Sequence, residues 1–153
     1  MNSEENLKQY IKENNINCEY LKFEQSCHSV EEAAQAANTL PENFVKNICM
    51  IDTNENIIIV IVKGEDRAST SRVAKALNIE RPRIATPEEI LEKTNYPCGG
   101  VPSFGTNVKY LIDTRVMEKE LIYSSGGSQT SLITIAPKEL QRADDGVVVR
   151  VRK

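Results

Sequence analysis

The segment with the strongest capacity for chemistry is residues 95–105, where glycine and proline are most concentrated. Gly99 and Gly100 can adopt positive φ and let a ligand approach the backbone closely. Pro97 and Pro102 stiffen the flanks. A rigid loop with exposed N–H and C=O groups suits a small polar ligand. A plain connection between a helix and a strand has the same composition, so both interpretations stay open.

A protein nucleophile has little support in this sequence. Cys98 lies in the same loop, but no base is adjacent, so a thiol that only packs there is the simpler interpretation. His28 is the only histidine, and a Ser-His-Asp or Cys-His triad would have to use it. Its place just before Ser29, which begins a helix, fits a ligand contact or a capping role.

Three further positions could bind an anion or a carbonyl group. Lys46 enters an apolar run and can hold a phosphate or a carbonyl oxygen, or it can protect a strand edge. The Ser-Gly-Gly-Ser segment at 125–128 can present N–H groups to an anion, or form a hairpin turn. Asp113 follows an apolar run, as a salt-bridge partner or a turn residue.

Metals and nucleotide cofactors have no motif support. The chain has four cysteines but no Cys-x-x-Cys pair, and one histidine cannot complete a zinc site at these spacings. No glycine-rich nucleotide fingerprint occurs. We therefore expect neither a metal nor a cofactor. Two of the cysteines, Cys18 and Cys49, lie in strand-like runs and are predicted to be small core residues.

Composition limits the classes of protein further. The 153 residues carry 19 basic and 22 acidic side chains, a net charge of −3, which excludes a wholly basic nucleic-acid binder but allows a local basic patch. The longest apolar run, 57–62, is far short of the ~20 residues that cross a bilayer. The first residues show no signal-peptide pattern. We therefore expect a cytoplasmic protein with reduced thiols and no membrane partner.

Charge is distributed unevenly along the chain. Residues 1–45 contain three basic and eight acidic side chains, whereas residues 46–153 contain 16 and 14. The segment 63–83 concentrates cations, which could dock a phosphate backbone or form a solvated helix face. The basic residues there are Lys63, Arg67, Arg72, Lys75, Arg81 and Arg83, against Glu65, Asp66 and Glu80.

Helical and strand-like segments alternate along the chain. Helices are predicted from Ser3, over 30–37, over 70–77 and after Thr86, with capping boxes at Ser29 and Thr86. Strands are predicted over 18–23, 46–52, 57–63, 81–85, 108–113, 121–124 and 131–136. The run 57–62 does not alternate, which indicates a strand covered on both faces. The fold class is therefore α/β (α+β): a single domain with a mixed, mostly antiparallel sheet and several helices packed on it.

The order of these segments resembles the YbaK/prolyl-tRNA-synthetase-associated editing-domain family, the aminoacyl-tRNA deacylases. The matching segments are 28–34, 46–48, 75–77, 85–90, 96–105, 111–113, 125–127 and 135–140. The resemblance divides the chain into an editing domain at 1–140 and a C-terminal extension at 141–153. The apolar run 146–151 predicts that this extension adds a strand.

The resemblance implies hydrolysis of a mischarged aminoacyl-tRNA, a translation-fidelity activity that needs no cofactor. Lys46 matches the family's lysine, which faces the terminal adenosine or the aminoacyl carbonyl. Gly99 and Gly100 match the loop whose backbone positions the ester. Family members use the tRNA 2′-hydroxyl or the substrate side chain in place of a protein nucleophile. The implied substrate-binding residues are His28, Val101, Pro102, Ser103, Asp113, Ser125, Gly126 and Gly127.

Two departures from the family pattern affect the substrate. Pro102 lies one place early in the loop, and residues 128–130 read Ser-Gln-Thr where bacterial Cys-tRNA(Pro) deacylases carry Lys-Arg-Gly. The His-Pro-Leu segment of the alanine-specific branch is also absent. Cys-tRNA(Pro) is the leading substrate, followed by another small mischarged amino acid, with tRNA(Pro) and prolyl-tRNA synthetase as partners. The alternatives are an inactive editing fold that binds tRNA or a synthetase, and a hydrolase using Cys98 and His28 on another ester.

Overall fold

The structure, a computed structural model, describes residues 2–153. This part of the chain forms five α-helices, eight β-strands and two short 3₁₀ turns. None of its helices is long and apolar enough to span a bilayer. In chain order the elements are α1 (Ser3–Glu13), β1 (Cys18–Lys22), α2 (Val30–Ala37), β2 (Val45–Ile51), β3 (Ile57–Lys63), α3 (Thr70–Leu77), β4 (Arg83–Ile84), α4 (Pro87–Thr94), β5 (Lys109–Ile112), β6 (Ile122–Ser125), β7 (Ser131–Ile135), α5 (Pro137–Asp144) and β8 (Val147–Val148).

The central sheet has five strands in the order β4-β2-β3-β5-β8. Strands β2 and β3 form an antiparallel hairpin from the pair Val45–Lys63 to the pair Ile51–Ile57. The carboxylate of Asp52 closes its turn by accepting the N–H groups of residues 54 and 56, both at 2.9 Å. β5 joins β3 in parallel, and β8 joins β5 in parallel. The sheet is therefore mixed, with the hairpin at its centre.

Strand β3 is buried on both faces, as its unbroken apolar run predicts. Because side chains alternate across a strand, residues 57, 59 and 61 face one side and residues 58, 60 and 62 face the other. The first set packs in the main core with β7, α4 and α5. The second set packs with Val73 of α3 and Val151 near the end of the chain.

A second sheet of three antiparallel strands, β1-β7-β6, covers the main core. β1 pairs with β7 in the register Cys18–Ile135 to Lys22–Ser131, and β6 pairs with the other edge of β7. A parallel bridge between Phe44 and Tyr123, whose rings lie 5.0 Å apart, connects the two sheets.

The fold class predicted from the sequence is confirmed, with three local differences. The strands divide between two sheets instead of forming one. Helix α5 lies where no helix was predicted; Pro137 opens it, and its N-cap, Ala136, offers no side-chain hydrogen bond. The capping box at Thr86 is complete, but at Ser29 only half forms, because the Glu32 carboxylate accepts from the Ser29 hydroxyl instead of the cap backbone.

The C-terminal segment returns across the α3 side of the central sheet. β8 occupies part of the predicted run 146–151, while α5 continues across residue 140 as far as Asp144. Beyond β8, the Ser69 N–H donates to the Val151 carbonyl at 2.7 Å. Val151 is fully buried in the apolar cluster that includes Val73. The end of the chain therefore packs as part of the domain.

Asp113 fastens this segment to the end of β5. Its carboxylate is 0% exposed and accepts the N–H groups of Val151 at 2.9 Å and Arg152 at 3.1 Å. The Arg152 guanidinium lies 3.0 Å away. Burial raises the pKa of the Asp113 carboxyl, but the backbone N–H groups and Arg152 outweigh it and hold the pKa below its ordinary value. The carboxylate is thus ionised, and it binds the C-terminal segment instead of a ligand.

We expect Asp113→Asn to lower the free energy of unfolding at pH 7 by about 2 kcal/mol, because an amide nitrogen then faces N–H donors and Arg152 loses its counter-charge. A depressed pKa stabilises the folded state above the unfolded-state pKa, and that stabilisation is lost as pH falls through the folded-state value. The difference from wild type should therefore shrink below about pH 4, the ordinary range of an aspartate.

Urea denaturation at pH 7 and pH 3 measures both effects. Asp145→Asn is the matched control, because Asp145 is an exposed helix C-cap in the left-handed conformation, where asparagine is equally suited. We expect the control to change stability by less than about 0.5 kcal/mol. Equal losses for the two variants would contradict the role given to Asp113.

Candidate active site

A cavity of about 330 Å³ opens between the two sheets, beside the free edge of β2. β4 pairs only with residues 50 and 51 of β2, so no strand covers the preceding part of that edge. Residues from α2, β2, α4, β6, β7 and the loop after α4 surround the opening. The lining residues are Cys27, His28, Ser29, Val30, Ala33, Phe44, Val45, Lys46, Asn47, Ile48, Cys49, Ile84, Ala85, Ile90, Cys98, Gly99, Val101, Ser124, Ser125 and Leu132.

Five of the residues singled out from the sequence meet in this cavity, although they come from four separate segments: His28, Lys46, Gly99, Val101 and Ser125. Another five lie behind its wall, in the same loop or turn: Gly100, Pro102, Ser103, Gly126 and Gly127. Asp113 does not reach the cavity, because its buried carboxylate holds the C-terminal segment.

The two glycines of the loop are required by close packing. Gly99 has φ +84°, and a Cβ built there would lie 2.3 Å from His28 Nδ1, so the imidazole rests directly on its backbone. Gly100 donates its N–H to the Pro97 carbonyl at 2.8 Å. A Cβ at Gly100 would lie 3.0 Å from Ser128 Cα. A side chain at Gly99 would therefore be strained by the positive φ and would displace the imidazole, whereas one at Gly100 would displace the backbone of the turn.

A buried network of three polar side chains fixes the other half of the loop. Asn47 donates to the Val101 carbonyl at 2.8 Å and to the Ser124 hydroxyl at 3.0 Å. Ser103 donates to the side-chain oxygen Oδ1 of Asn47 at 2.7 Å and lies 2.6 Å from the Ser124 hydroxyl. The fully buried Ser103 hydroxyl is thus committed to the network. It supports the cavity wall instead of lining it.

The Ser-Gly-Gly segment is the hairpin connection between β6 and β7. Gly126 donates its N–H to the Ser131 carbonyl at 2.9 Å, and Gly127 donates to the Ser125 hydroxyl at 3.3 Å. Both glycines are buried, so these N–H groups are not presented to an anion in the cavity. Gln129 donates to the Cys98 carbonyl at 3.1 Å and ties the turn to the loop.

Comparison with known proteins identifies the family. The family model of the aminoacyl-tRNA editing domain matches residues 24–143. This chain belongs to the aminoacyl-tRNA editing domain family. The match includes α2, the free edge of β2, the 95–105 loop and the β6–β7 turn, which together build the cavity.

Curated relatives fall into two groups. The Bacillus subtilis (strain 168) protein YwhH is 25% identical over 134 residues, 86% of this chain and 82% of its own length. The proline–tRNA ligase of Aquifex aeolicus is 23% identical over 82% of this chain, and that of Thermotoga neapolitana is 27% identical over 56%. The editing domain spans only 23% and 15% of the lengths of these two ligases.

Solved structures share the whole fold. The crystal structure of the hypothetical protein APE2540 superposes with a TM-score of 0.89 at 25% identity, covering 97% of this chain and 99% of that one. The crystal structure of a candidate trans-editing enzyme for prolyl-tRNA synthetase gives a TM-score of 0.89 at 23% identity, covering 99% and 97%. With 97% and 99% of this chain covered, these superpositions extend beyond residue 143, where the family-model match ends.

Lys46 supplies the positive charge at the cavity of this editing domain. It lies in β2 opposite Val62 and is half-buried. None of the ion pairs formed by residues 2–153 includes Lys46. Much of the rest of the lining is apolar, with Ala33, Ile90 and Leu132 among the buried side chains. The cavity can therefore offer a cation to a polar group while enclosing an apolar one.

Three thiols line the same cavity of the editing domain. Burial raises the pKa of Cys49 to about 12, with a smaller contribution from the nearby Cys98. Burial also raises the pKa of Cys27. Both thiols are therefore uncharged at neutral pH and weakly nucleophilic. Cys98 makes no hydrogen bond to His28 in the part of the chain that the structure describes, and these residues include no cluster suited to a metal ion.

Asn47 and Ser124 are the supporting residues that sequence reasoning did not assign. An asparagine within a largely apolar strand was the available signal, because a buried polar group requires a partner. Ser124 carried no comparable signal, since its partners lie 77 and 21 residues away in sequence. The support of the cavity thus depends on contacts that only the fold creates.

We expect Asn47→Ala to lower the free energy of unfolding by about 2 kcal/mol, because it leaves the Val101 carbonyl without its donor and removes one partner from each of the Ser103 and Ser124 hydroxyls. The loop should also open locally. Amide hydrogen exchange across 99–105 should accelerate more than exchange in β3.

Asn54→Ala is the control, because Asn54 lies exposed in the β2–β3 turn and its backbone N–H, not its side chain, makes the turn hydrogen bond. We expect a change of less than about 0.5 kcal/mol for the control. Exchange that accelerates equally in the loop and in β3 would contradict a local role for Asn47.

Proposed function

We propose that this editing domain hydrolyses the ester bond of a mischarged aminoacyl-tRNA, with Cys-tRNA(Pro) as the leading substrate. The observation that carries the proposal is the juxtaposition of the unpaired Lys46 ammonium and the rigid Gly99 backbone at one small cavity. No activated protein nucleophile accompanies them among residues 2–153. Such a site suits a reaction in which the enzyme positions the substrate and stabilises charge.

The cavity would receive the aminoacyl group. Its volume of about 330 Å³ lies at the small end of ligand pockets, which favours a small amino acid. Small apolar side chains differ too little in binding energy for one synthetase site to reject them all. A second, small site that hydrolyses the mischarged products then restores the selectivity. Cys27, Ala33 and Leu132 would form its apolar wall.

The donors for the developing oxyanion can be assigned more finely than the family resemblance allows. Gly100 already donates its N–H to Pro97, whereas the Gly99 N–H makes no hydrogen bond within residues 2–153. We therefore assign the backbone contact to Gly99, together with the Lys46 ammonium. Gly100 would help to position the loop, because its lack of a side chain allows close packing against Ser128. His28, packed on Gly99, and Ser125 would contact other parts of the substrate.

The chemical step would use the substrate's own groups, as the resemblance implies. Water adds to the ester carbonyl carbon, and the bond from that carbon to the ribose 3′-oxygen breaks. The vicinal 2′-hydroxyl takes the proton from the attacking water and passes its own to the leaving 3′-oxygen. The products are the free amino acid and the uncharged tRNA. The raised pKa values of Cys27 and Cys49 are consistent with a mechanism that uses no protein thiolate.

The relatives support the choice of tRNA. Several curated relatives are proline–tRNA ligases, and one similar structure is described as a candidate trans-editing enzyme for prolyl-tRNA synthetase. We therefore propose tRNA(Pro) as the carrier of the mischarged amino acid and prolyl-tRNA synthetase as the enzyme with which this domain cooperates.

Two departures from the family pattern favour a second function, a binding module without hydrolytic activity. Pro102 is shifted by one place in the loop, and residues 128–130 replace the Lys-Arg-Gly of bacterial Cys-tRNA(Pro) deacylases. In that case the same cavity would hold the 3′ end of a tRNA, and Lys46 would be a contact residue only. Variants of Lys46 and a panel of substrates separate these two functions.

We expect Lys46→Ala to slow single-turnover deacylation by about 100-fold, the usual effect of removing one oxyanion donor. Binding of uncharged tRNA should remain within about threefold of wild type, because a single surface charge contributes little to it. Lys109→Ala is the control, since Lys109 is an exposed lysine at the start of β5, outside the cavity. Loss of tRNA binding without loss of turnover would contradict the catalytic role.

We expect Cys98→Ala to leave the deacylation rate unchanged, because the thiol has no base within hydrogen-bond distance among the described residues. Initial rates with the same mischarged tRNA measure this directly. Cys18→Ala, at a half-buried thiol outside the cavity, controls for unspecific effects of removing a thiol. Abolished turnover in Cys98→Ala alone would instead establish the nucleophilic hydrolase.

The substrate itself is tested with tRNA(Pro) charged in turn with Cys, Ala, Ser and Pro. Selective release of cysteine supports the leading substrate, and selective release of alanine or serine replaces it. If all four esters survive while the tRNA is bound, the binding module is the function. If the prolyl ester is hydrolysed as fast as the others, the cavity does not discriminate and the editing proposal fails.

A further inference from the structure

We propose that an exposed basic surface on the α3 side of the domain binds the phosphate backbone of the RNA whose 3′ end enters the cavity. This α3 basic surface consists of Arg67, Arg72, Lys75, Arg81 and Lys153. The inference rests on the proposed function for its substrate, but it concerns a separate surface and can be tested separately.

The C-terminal segment brings distant cations to one place. The Lys153 N–H donates to the Arg67 carbonyl at 2.8 Å, and an antiparallel bridge pairs Ala68 with Arg152. From the other direction, Arg81 donates from Nε to the Thr70 hydroxyl at 2.6 Å, which places it at the first turn of α3. Residues 67, 81 and 153 thus converge on the start of one helix.

The five cations are free to act on a ligand. All five side chains are exposed, and none takes part in an ion pair within residues 2–153. Four nearby carboxylates are already paired with other cations: Glu65 with Lys63, Asp66 with Arg115, Glu89 with Arg83, and Asp113 with Arg152. Glu80, exposed beside Arg81, is in none of the ion pairs formed by residues 2–153, so it offsets one of the positive charges. In addition, the first turn of α3 carries no acidic side chain. The surface therefore retains a net positive charge in a chain of net charge −3.

The surface leads to the cavity. From Arg81 the chain reaches Ile84, a cavity-lining residue, in three steps, a distance of about 10 Å when extended. Because side chains alternate along β2, Lys46 lies on the same sheet face as Met50, which packs in the cluster with α3. Positive charge therefore continues from the cavity toward the helix.

The opposite rim of the cavity would repel RNA. Residues 24–45 contain four acidic side chains and no basic one, and part of that segment lines the cavity through His28, Val30 and Ala33. The four acids, Glu24, Glu31, Glu32 and Glu42, are all exposed. Charge thus allows an RNA backbone to approach from the α3 side and opposes its approach from the α2 side. Arginine-rich surfaces of this kind suit phosphodiesters, which accept paired guanidinium hydrogen bonds.

The test compares two double variants that change net charge equally. Arg67→Glu with Arg72→Glu reverses two charges of the α3 basic surface, and neither side chain makes a hydrogen bond within residues 2–153. Lys12→Glu with Lys138→Glu reverses two exposed charges on α1 and α5. The probe is an uncharged RNA hairpin that reproduces an acceptor stem with its single-stranded 3′ end, titrated at several salt concentrations.

We expect the surface variant to bind the hairpin at least about tenfold more weakly than wild type at low salt, with a shallower dependence of log K on log salt. The control variant should bind like wild type. Equal weakening of both variants would show that only total charge matters, and no weakening would show that RNA does not use this surface. Either result overturns the inference.

A second measurement separates this inference from the proposed hydrolysis. A short aminoacylated 3′ oligonucleotide, which ends before the stem, should be hydrolysed by the surface variant at the wild-type rate. If wild type hydrolyses neither this oligonucleotide nor the mischarged tRNA(Pro) while the surface variant still loses RNA binding, the surface stands and the hydrolytic function fails. Thermal unfolding checks the fold, and Lys75→Glu with Lys153→Glu, at two other exposed side chains of the surface, replaces the first pair if that pair is unstable.

Discussion

The burial of β3 on both faces is the constraint on which the rest of the structure depends. Every residue of the run 57–62 is at most 4% exposed. A strand with apolar side chains on both faces requires two covering layers. The three-stranded sheet, α4 and α5 provide one layer, whereas α3 and the C-terminal segment provide the other. Each apolar side chain buried in this way contributes roughly 1.5–3 kcal/mol, an upper range set by an extended unfolded chain.

The position of the cavity follows from the same strand. Because β3 holds β2 along its whole length, β2 cannot shift, and its alternation presents Asn47 and Cys49 to one face and Lys46 and Ile48 to the other. β4 covers only the far end of the β2 edge. At the uncovered part, a ligand can contact both faces of the strand. The hydrogen-bonded amide of Asn47 and the unpaired ammonium of Lys46 therefore lie one residue apart, on opposite faces.

Local signals accounted for much of the fold. The hairpin of β2 and β3 and the helix begun at Thr86 follow from apolar runs and capping chemistry that lie within a few residues of one another. Helix α5 was missed because Ala136 makes no capping hydrogen bond, and only Pro137 marks its start. The division into two sheets was missed because the partner of Cys18, Ile135, is set by the packing of the whole chain.

Several residues of the site could be predicted from the sequence, but the tertiary contacts between them could not. The loop glycines and Lys46 were identified by their residue type and the resemblance. The sequence could not show that the Ser103 hydroxyl and the glycines at 126 and 127 are buried, because their burial depends on tertiary contacts. Asp113 illustrates the limit most clearly. From sequence alone, a carboxylate at a strand end fits a ligand contact or a salt bridge equally well. The choice depends on the C-terminal segment, whose N–H groups donate to Asp113 only in the folded chain.

The pairing of β1 with β7 has a consequence for the order of folding. It joins Cys18 to Ile135, so a loop of more than one hundred residues closes when it forms. The β2–β3 hairpin closes only a five-residue turn and can form early, while β1 must wait for the chain between them to become compact. In the native state β1 is bonded to one neighbouring strand, β7, so its detachment would uncover the main core without disturbing the cavity-lining strand β2.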